Sequence, residues 1–168
     1  MEIKRVWAMP NKWTFKIKPI RELLQKYNVG EGWIDPFAGM ASPAEHIYTN
    51  DKNQKCDAKW HLDAEFFLKM WDPVDCQFKG CLLDPPYSWR QLFETYHLPA
   101  KELRGKKIPL TIINDLVKDR IERNGYVITF GWNSNGLGAK RGFIIREILL
   151  VAHGGQHNDT IVTVEQKV

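Results

Sequence analysis

A mostly parallel α/β sheet is the fold class this sequence predicts, and two patterns predict it. Short apolar strands alternate with helical stretches along the 168 residues, as crossover-connected parallel strands require. Four expected strands in succession also close on an aspartate, Asp35, Asp51, Asp63 and Asp84. In a doubly wound sheet that places four carboxylates on the rim where ligands bind.

The elements follow in order. Residues 19–28 read as a helix: Pro19 suits a first turn, Ile20, Leu23, Leu24 and Tyr27 recur at helical spacing, and Gly30 stops it. Residues 33–45 spell strand, Gly-containing turn and helix start, because Ser42-Pro43-Ala44-Glu45 has capping-box spacing with Pro at the first helical position. Residues 46–51 and 59–63 lead through two further strands, and Asp63 suits the cap of a helix carrying Phe66, Phe67 and Met70. Residues 79–83 form a buried-type strand running into Asp84-Pro85-Pro86-Tyr87, and Trp89, Leu92, Phe93 and Tyr96 line the next helix. A helix over 110–123 ends at Asn124-Gly125. Strands at 126–130, 143–151 and 160–165 complete the sheet, the last one antiparallel, with loops at 98–109 and 131–142.

Composition sets the bounds. Hydrophobic residues at 43% and charged residues at 26% are ordinary for one globular domain over 1–168 and exclude a disordered chain. The net charge of +4 and pI near 8.9 permit a nucleic-acid partner without demanding one. Cys56, Cys76 and Cys81 lack Cys-x-x-Cys spacing, which argues against a disulfide framework and a four-thiolate zinc site. No apolar run nears the ~20 residues of a membrane span, and Met1-Glu2-Ile3-Lys4-Arg5 is no signal peptide. A soluble cytoplasmic protein, of a prokaryote or a phage-infected cell, is expected.

The sharpest chemical signal is Asp84-Pro85-Pro86-Tyr87 after an apolar strand. Two prolines fix a stiff turn at the strand's carboxyl end. The turn holds a carboxylate, a free carbonyl and an aromatic face in a rigid relation, which suits a planar base with an exocyclic amino group. An ordinary turn, with Asp as a cap and Tyr in the core, is the plainer alternative. Asp35-Pro36-Phe37-Ala38-Gly39 repeats the strand-to-turn pattern, and its Gly lets backbone approach a ligand. Asp51 and Asp63 suit ribose hydroxyls and an adenine amino group, or simply helix caps. His153 and His157 sit four apart in a Gly-rich loop with no third ligand signalled, so no metal is expected.

Taken together these motifs resemble those of the amino-methylating DNA methyltransferases that use S-adenosylmethionine. Asp35-Pro36-Phe37-Ala38-Gly39 is similar to their cofactor loop, and Asp84-Pro85-Pro86-Tyr87 to their catalytic motif in its adenine-N6 form. Thr14-Phe15-Lys16-Ile17-Lys18-Pro19-Ile20 resembles the segment that packs near the methionine part of the cofactor. Phe130-Gly131-Trp132-Asn133-Ser134-Asn135-Gly136 and the stretch 153–161 resemble the small methylases of phages and mobile elements. Ala41 departs from the family, where many relatives have a second glycine.

The resemblance implies a class I, Rossmann-like methyltransferase fold and transfer of a methyl group from S-adenosylmethionine to the N6 of adenine in DNA. Asp84, Pro85, Pro86 and Tyr87 would be catalytic. Thr14, Phe15, Ile17, Asp35, Pro36, Phe37, Gly39, Asp51 and Asp63 would hold the cofactor. Trp89, Arg90, Trp132, Asn133 and His157 would hold the target, with Lys140 and Arg141 as further phosphate contacts. Only 48 residues separate Asp35 from Asp84 and 84 follow Asp84, which leaves no room for a separate target-recognition domain. Target choice then falls to loops or to a second subunit, such as another copy of the chain. Cytosine-N4 methylation, guanine-N2 methylation of RNA, and a non-catalytic cofactor-binding relative are the alternatives.

Overall fold

The computed structural model describes residues 1–86, 110–155 and 157–168. Its six strands are β1 (Glu2–Trp7), β2 (Trp33–Ile34), β3 (Phe78–Leu83), β4 (Ile121–Gly131), β5 (Phe143–Ala152) and β6 (Thr160–Lys167). They form one sheet in the order β1-β5-β6-β4-β3-β2. β2, β3 and β4 run parallel, as do β1 and β5, and β6 lies antiparallel between β4 and β5. Beyond β2 the sheet continues as two parallel bridges, Asp35 with Thr49 and Asn50 with Trp60. The expected strands at 46–51 and 59–62 are thus reduced to single pairings. The Asn50 side chain supplements them: its Nδ2 donates to the Pro36 and Leu62 carbonyls at 3.1 Å each, and its Oδ1 accepts from Leu62 N–H at 2.9 Å.

β1 was not anticipated. It is an edge strand exposed along nearly its whole length, so Glu2-Ile3-Lys4-Arg5 carries no apolar run to announce it. Helix α1 (Lys18–Lys26) matches its expectation: Pro19 sits in the first turn and Ile20, Leu23 and Leu24 are buried. Its end is tied to β5, because Lys26 Nζ and the Tyr27 hydroxyl both donate to the buried Glu147 carboxylate, at 2.6 and 2.9 Å. Helix α2 (Ala64–Lys69) buries Ala64, Phe67 and Leu68, one face at i, i+3, i+4. Phe66 and Met70 are exposed.

Helix α3 (Leu110–Arg120) ends three residues before its expected limit. Ile121 is fully buried and already pairs with Phe78 as a strand residue. The Asn124-Gly125 pair, read as a helix stop, lies instead at a bulge in β4, with Asn124 at φ +66°. Alternation along the strands divides the core between the two sheet faces. Leu82, Ile128, Phe130, Val162 and Val164 pack with α1 on one face; Cys81, Leu83, Val127 and Ile121 pack with α2 and α3 on the other.

Candidate functional site

β3 delivers Asp84 to the carboxyl edge of the sheet, between β2 and β4. The Thr14 hydroxyl donates to its carboxylate, yet burial still pushes the Asp84 pKa up to about 6. Asp84 opens onto a cavity of about 240 Å³ lined also by Thr14, Ile17, Trp132, His157 and Asn158. Pro85 is buried and lines a second cavity of about 230 Å³ with Leu83, Phe130, Asn133 and Gly136. Trp132 and Asn133 are neighbours in the chain, so the two cavities share a wall. Tyr87, Trp89 and Arg90, and the expected helix and loop from Trp89 to residue 109, lie outside the described residues.

At the neighbouring strand end, Asp35 is fully buried. Phe37 N–H donates to its Oδ1 at 2.9 Å and the Ser42 hydroxyl to its Oδ2 at 2.6 Å. Burial raises its pKa to about 7, and the like charges of Asp84 and Asp51 add to the rise. The helix expected to start at Ser42 is absent. Ser42 faces Asp35 instead of capping a helix, and Glu45 accepts from Gly32 N–H at 2.7 Å instead of closing a capping box. A short 3-10 turn, His46–Tyr48, follows. Thirteen residues separate the bridge partners Asp35 and Thr49, close to the lower limit for a crossover that holds any helix.

Asp51 is buried beneath the same turn. Gly39 N–H donates to its Oδ2 at 2.9 Å and Asn53 N–H to its Oδ1 at 2.8 Å, and burial raises its pKa. Gly39 has φ +56°, and no atom lies within 4 Å of where a Cβ would stand. The backbone there is open to a ligand. The structure therefore gathers Asp35, Gly39 and Asp51 into one turn and Thr14 against Asp84. Phe15, Ile17 and Phe37 are core residues of that rim, with Phe15 edge-on to Phe130 at 5.3 Å. The Pro36 carbonyl serves Asn50. Asp63 caps α2 through Oδ1, which accepts from Glu65 N–H at 3.1 Å, while its Oδ2 lies 3.9 Å from Lys52 Nζ.

Two fasteners hold the loops around the cavities, and neither was read from the sequence. Glu165 on β6 is fully buried, and its carboxylate accepts from Leu137 and Gly138 N–H at 2.5 and 2.9 Å. Gly136 lies directly against it: a Cβ there would collide with the Glu165 carboxylate, and its φ of +52° also favours glycine. A glutamate pointing inward on an apolar strand, paired with a Gly-x-Gly loop, is the signal that could have been used. His153 is the second fastener. Its Nδ1 lies 2.9 Å from the Ala8 carbonyl and its Nε2 3.0 Å from the Thr160 hydroxyl, while Asp159 Oδ1 accepts from its N–H. Both ring nitrogens are thus engaged. Among the described residues no cluster of His, Cys, Asp and Glu has the makings of a metal site. Arg141, expected at phosphate, is held at 2.7 Å by Asp115 and at 3.1 Å by the Leu137 carbonyl. Lys140 beside it is exposed. No helix among the described residues is long and apolar enough to cross a membrane.

No protein-family model matches the chain, and no curated protein matches its sequence. Solved structures do match. TrmN from Thermus thermophilus superposes at a TM-score of 0.56 with 15% identity over 90% of this chain, which spans 49% of that protein. Precorrin-6y C5,15-methyltransferase from Geobacter metallireducens gives 0.53 and 13%, covering 96% of this chain and 94% of that one. The Streptococcus mutans protein SMU.1697c, in complex with S-adenosylhomocysteine, gives 0.50 and 11%, covering 88% and 97%. The six-stranded, mostly parallel sheet with its one antiparallel insertion is the Rossmann-like fold of class I methyltransferases.

Proposed function

We propose that this chain transfers the methyl group of S-adenosylmethionine to the N6 amino group of adenine in DNA. One observation carries the reading: Asp84 and Pro85 leave the central strand at the carboxyl edge of a methyltransferase-type sheet and border two adjoining cavities. The residues present fit the cofactor. Asp51 and Asp84 place carboxylates at the rim that suit a cation, and the backbone at Gly39 is open to close approach. Pro36, Phe37 and Gly39 would flank the cofactor, Asp51 its ribose and Asp63 its adenine, with Thr14, Phe15 and Ile17 behind the methionine part. When bound, S-adenosylmethionine supplies an electrophilic methyl group on a sulfonium cation.

The chain's own task is to make the target nitrogen reactive. An adenine amino group is planar, because its lone pair is delocalised into the ring. Asp84 and the Pro85 carbonyl would accept its two hydrogens, which favours a pyramidal nitrogen and stabilises the positive charge that develops there. Tyr87, Trp132 and His157 would hold the base, flipped out of the duplex, in line for transfer, with Asn133, Trp89 and Arg90 at its edges. Thr14, by donating to Asp84, favours the ionised carboxylate that this task needs.

The test is to incubate the purified chain with isotopically labelled cofactor and either DNA or RNA, followed by nucleoside analysis. Label in N6-methyladenine from DNA is the expected result. N4-methylcytosine, or N2-methylguanine from RNA, would overturn the substrate assignment. No transfer to either polymer would overturn the enzymatic reading.

A further inference from the structure

The site described above is acidic where a nucleic acid must enter. Asp84 and Asp159 line one cavity, and Asp51 lies at the neighbouring turn, bonded to Gly39 N–H. A base carries no charge and suffers little there, but its flanking phosphates are repelled. A nucleic-acid substrate therefore needs cations at the cavity mouth, and Arg141 is committed to Asp115.

The segment before α1 supplies them. Pro10, Asn11, Thr14 and Ile17 form one wall of the Asp84 cavity. Between them lies the half-buried Trp13, with Lys16 Nζ 3.9 Å and Lys12 Nζ 4.7 Å from the indole ring centroid, and both lysines are exposed. Two ammonium groups converge on one indole, and neither has a carboxylate partner among the described residues. Lys4, Lys26, Lys69 and Lys118, by contrast, are all ion-paired. Hydrogen bonds tie the backbone that presents Lys12 and Lys16. Trp13 N–H donates to Asn11 Oδ1 at 2.9 Å, and Lys16 N–H to the Trp13 carbonyl at 2.9 Å. Phe15 and Ile17 anchor the turn in the core, and Thr14 holds Asp84. The chain thus alternates between core, cavity and an outward cationic face within five residues.

From this we infer that Lys12, Trp13 and Lys16 form the docking surface for the phosphodiester backbone of the substrate strand. The two ammonium groups take phosphates beside the target nucleotide, and the Trp13 ring between them sets their positions. Charge then sorts the substrate's parts: backbone to the lysines, base to the carboxylates. This inference rests on the nucleic-acid reading of the Asp84 site and adds to it the means of holding the strand.

The experiment measures binding apart from chemistry. Fluorescence anisotropy with labelled DNA and RNA oligonucleotides of one sequence is recorded from about 50 to 200 mM salt, without cofactor. Two phosphate contacts contribute a slope of about 1.8 in log affinity against log salt on duplex DNA, and about 1.4 on single strands. The Lys12→Ala/Lys16→Ala double variant should lose about that slope and bind roughly 10-fold more weakly at 150 mM salt. A Lys69→Ala/Lys118→Ala control, equal in net charge, should bind like the parent chain. The better-bound polymer shows whether the strand is DNA or RNA. A double variant with the affinity and slope of the parent would overturn the inference, even if the parent methylates DNA. Loss of slope in a chain that transfers no methyl group would uphold the docking surface and overturn only the adenine-N6 reading. A parent chain that binds neither polymer would overturn both.

Discussion

Asp35 offers the sharpest perturbation of the site, because its ionisation is coupled to folding. Its carboxyl is fully buried, accepts two hydrogen bonds, and has a pKa raised by burial from 3.8 to about 7. A carboxyl with a raised pKa binds its proton more tightly when folded than when unfolded. It leaves stability intact below about pH 4, erodes it as pH rises, and exerts its full cost above about pH 7. A rise of that size corresponds to about 4 kcal/mol at alkaline pH. Asp35→Asn keeps the shape and removes the charge. Its amide oxygen can accept from Phe37 N–H, and its NH₂ can donate to a reoriented Ser42 hydroxyl, at a cost of about 1 kcal/mol for the altered pairing. The variant should therefore match the parent near pH 4.5, where ionisation of Asp35 already costs about 1 kcal/mol, and be more stable by about 3 kcal/mol at pH 8.5. Urea unfolding of both chains across that range measures the difference directly. Parallel stability curves would refute the reasoning, since Asp35 would then titrate alike in the folded and unfolded chains.

Other expectations follow from the same geometry. The rate of methyl transfer should fall as pH drops through about 6, where Asp84 takes up a proton, and Thr14→Val should move that fall to higher pH by removing the donor that favours the carboxylate. A pH–rate profile insensitive to Thr14 would contradict this link. Gly136→Ala forces a Cβ into the left-handed region and against Glu165. Strain of about 1–2 kcal/mol, plus the loosened bonds to Leu137 and Gly138, should lower the melting temperature by roughly 6–12 °C; an unchanged melting temperature would deny Glu165 its fastening role. Asp51→Ala should weaken cofactor binding by about 1–3 kcal/mol, read by calorimetry, with unchanged affinity arguing against its place beside the ribose.

Much of the fold was legible because strand alternation and helix phase survive in the sequence. Ile20, Leu23 and Leu24 marked α1, and the apolar run before Asp84 marked β3. The failures share a cause: local signals whose atoms are claimed by tertiary partners. Ser42 and Glu45 have the spacing of a capping box, but Asp35 and the Gly32 N–H claim their side chains. Asn124-Gly125 reads as a helix stop, but the buried Ile121 commits the chain to the sheet three residues earlier. β1 escaped notice because an exposed edge strand buries nothing that would pattern it. At the site, the acids were legible as strand-end residues, but their hydrogen-bond duties were not. Asp63 caps α2, and Asp51 holds Gly39 and Asn53. Glu165 binds Leu137 and Gly138, and His153 reaches Ala8, each across a long stretch of chain, so neither partner could be read from the local pattern alone.

The central claim is that Asp84 prepares an amino group on a DNA base for methylation. Single-turnover transfer from labelled cofactor to adenine in a DNA oligonucleotide, comparing the parent chain with Asp84→Ala, tests it most directly. The expected result is N6-methyladenine formation by the parent and a loss of about 10²-fold or more in the variant, with cofactor affinity largely retained. Near-normal turnover by Asp84→Ala would contradict the account.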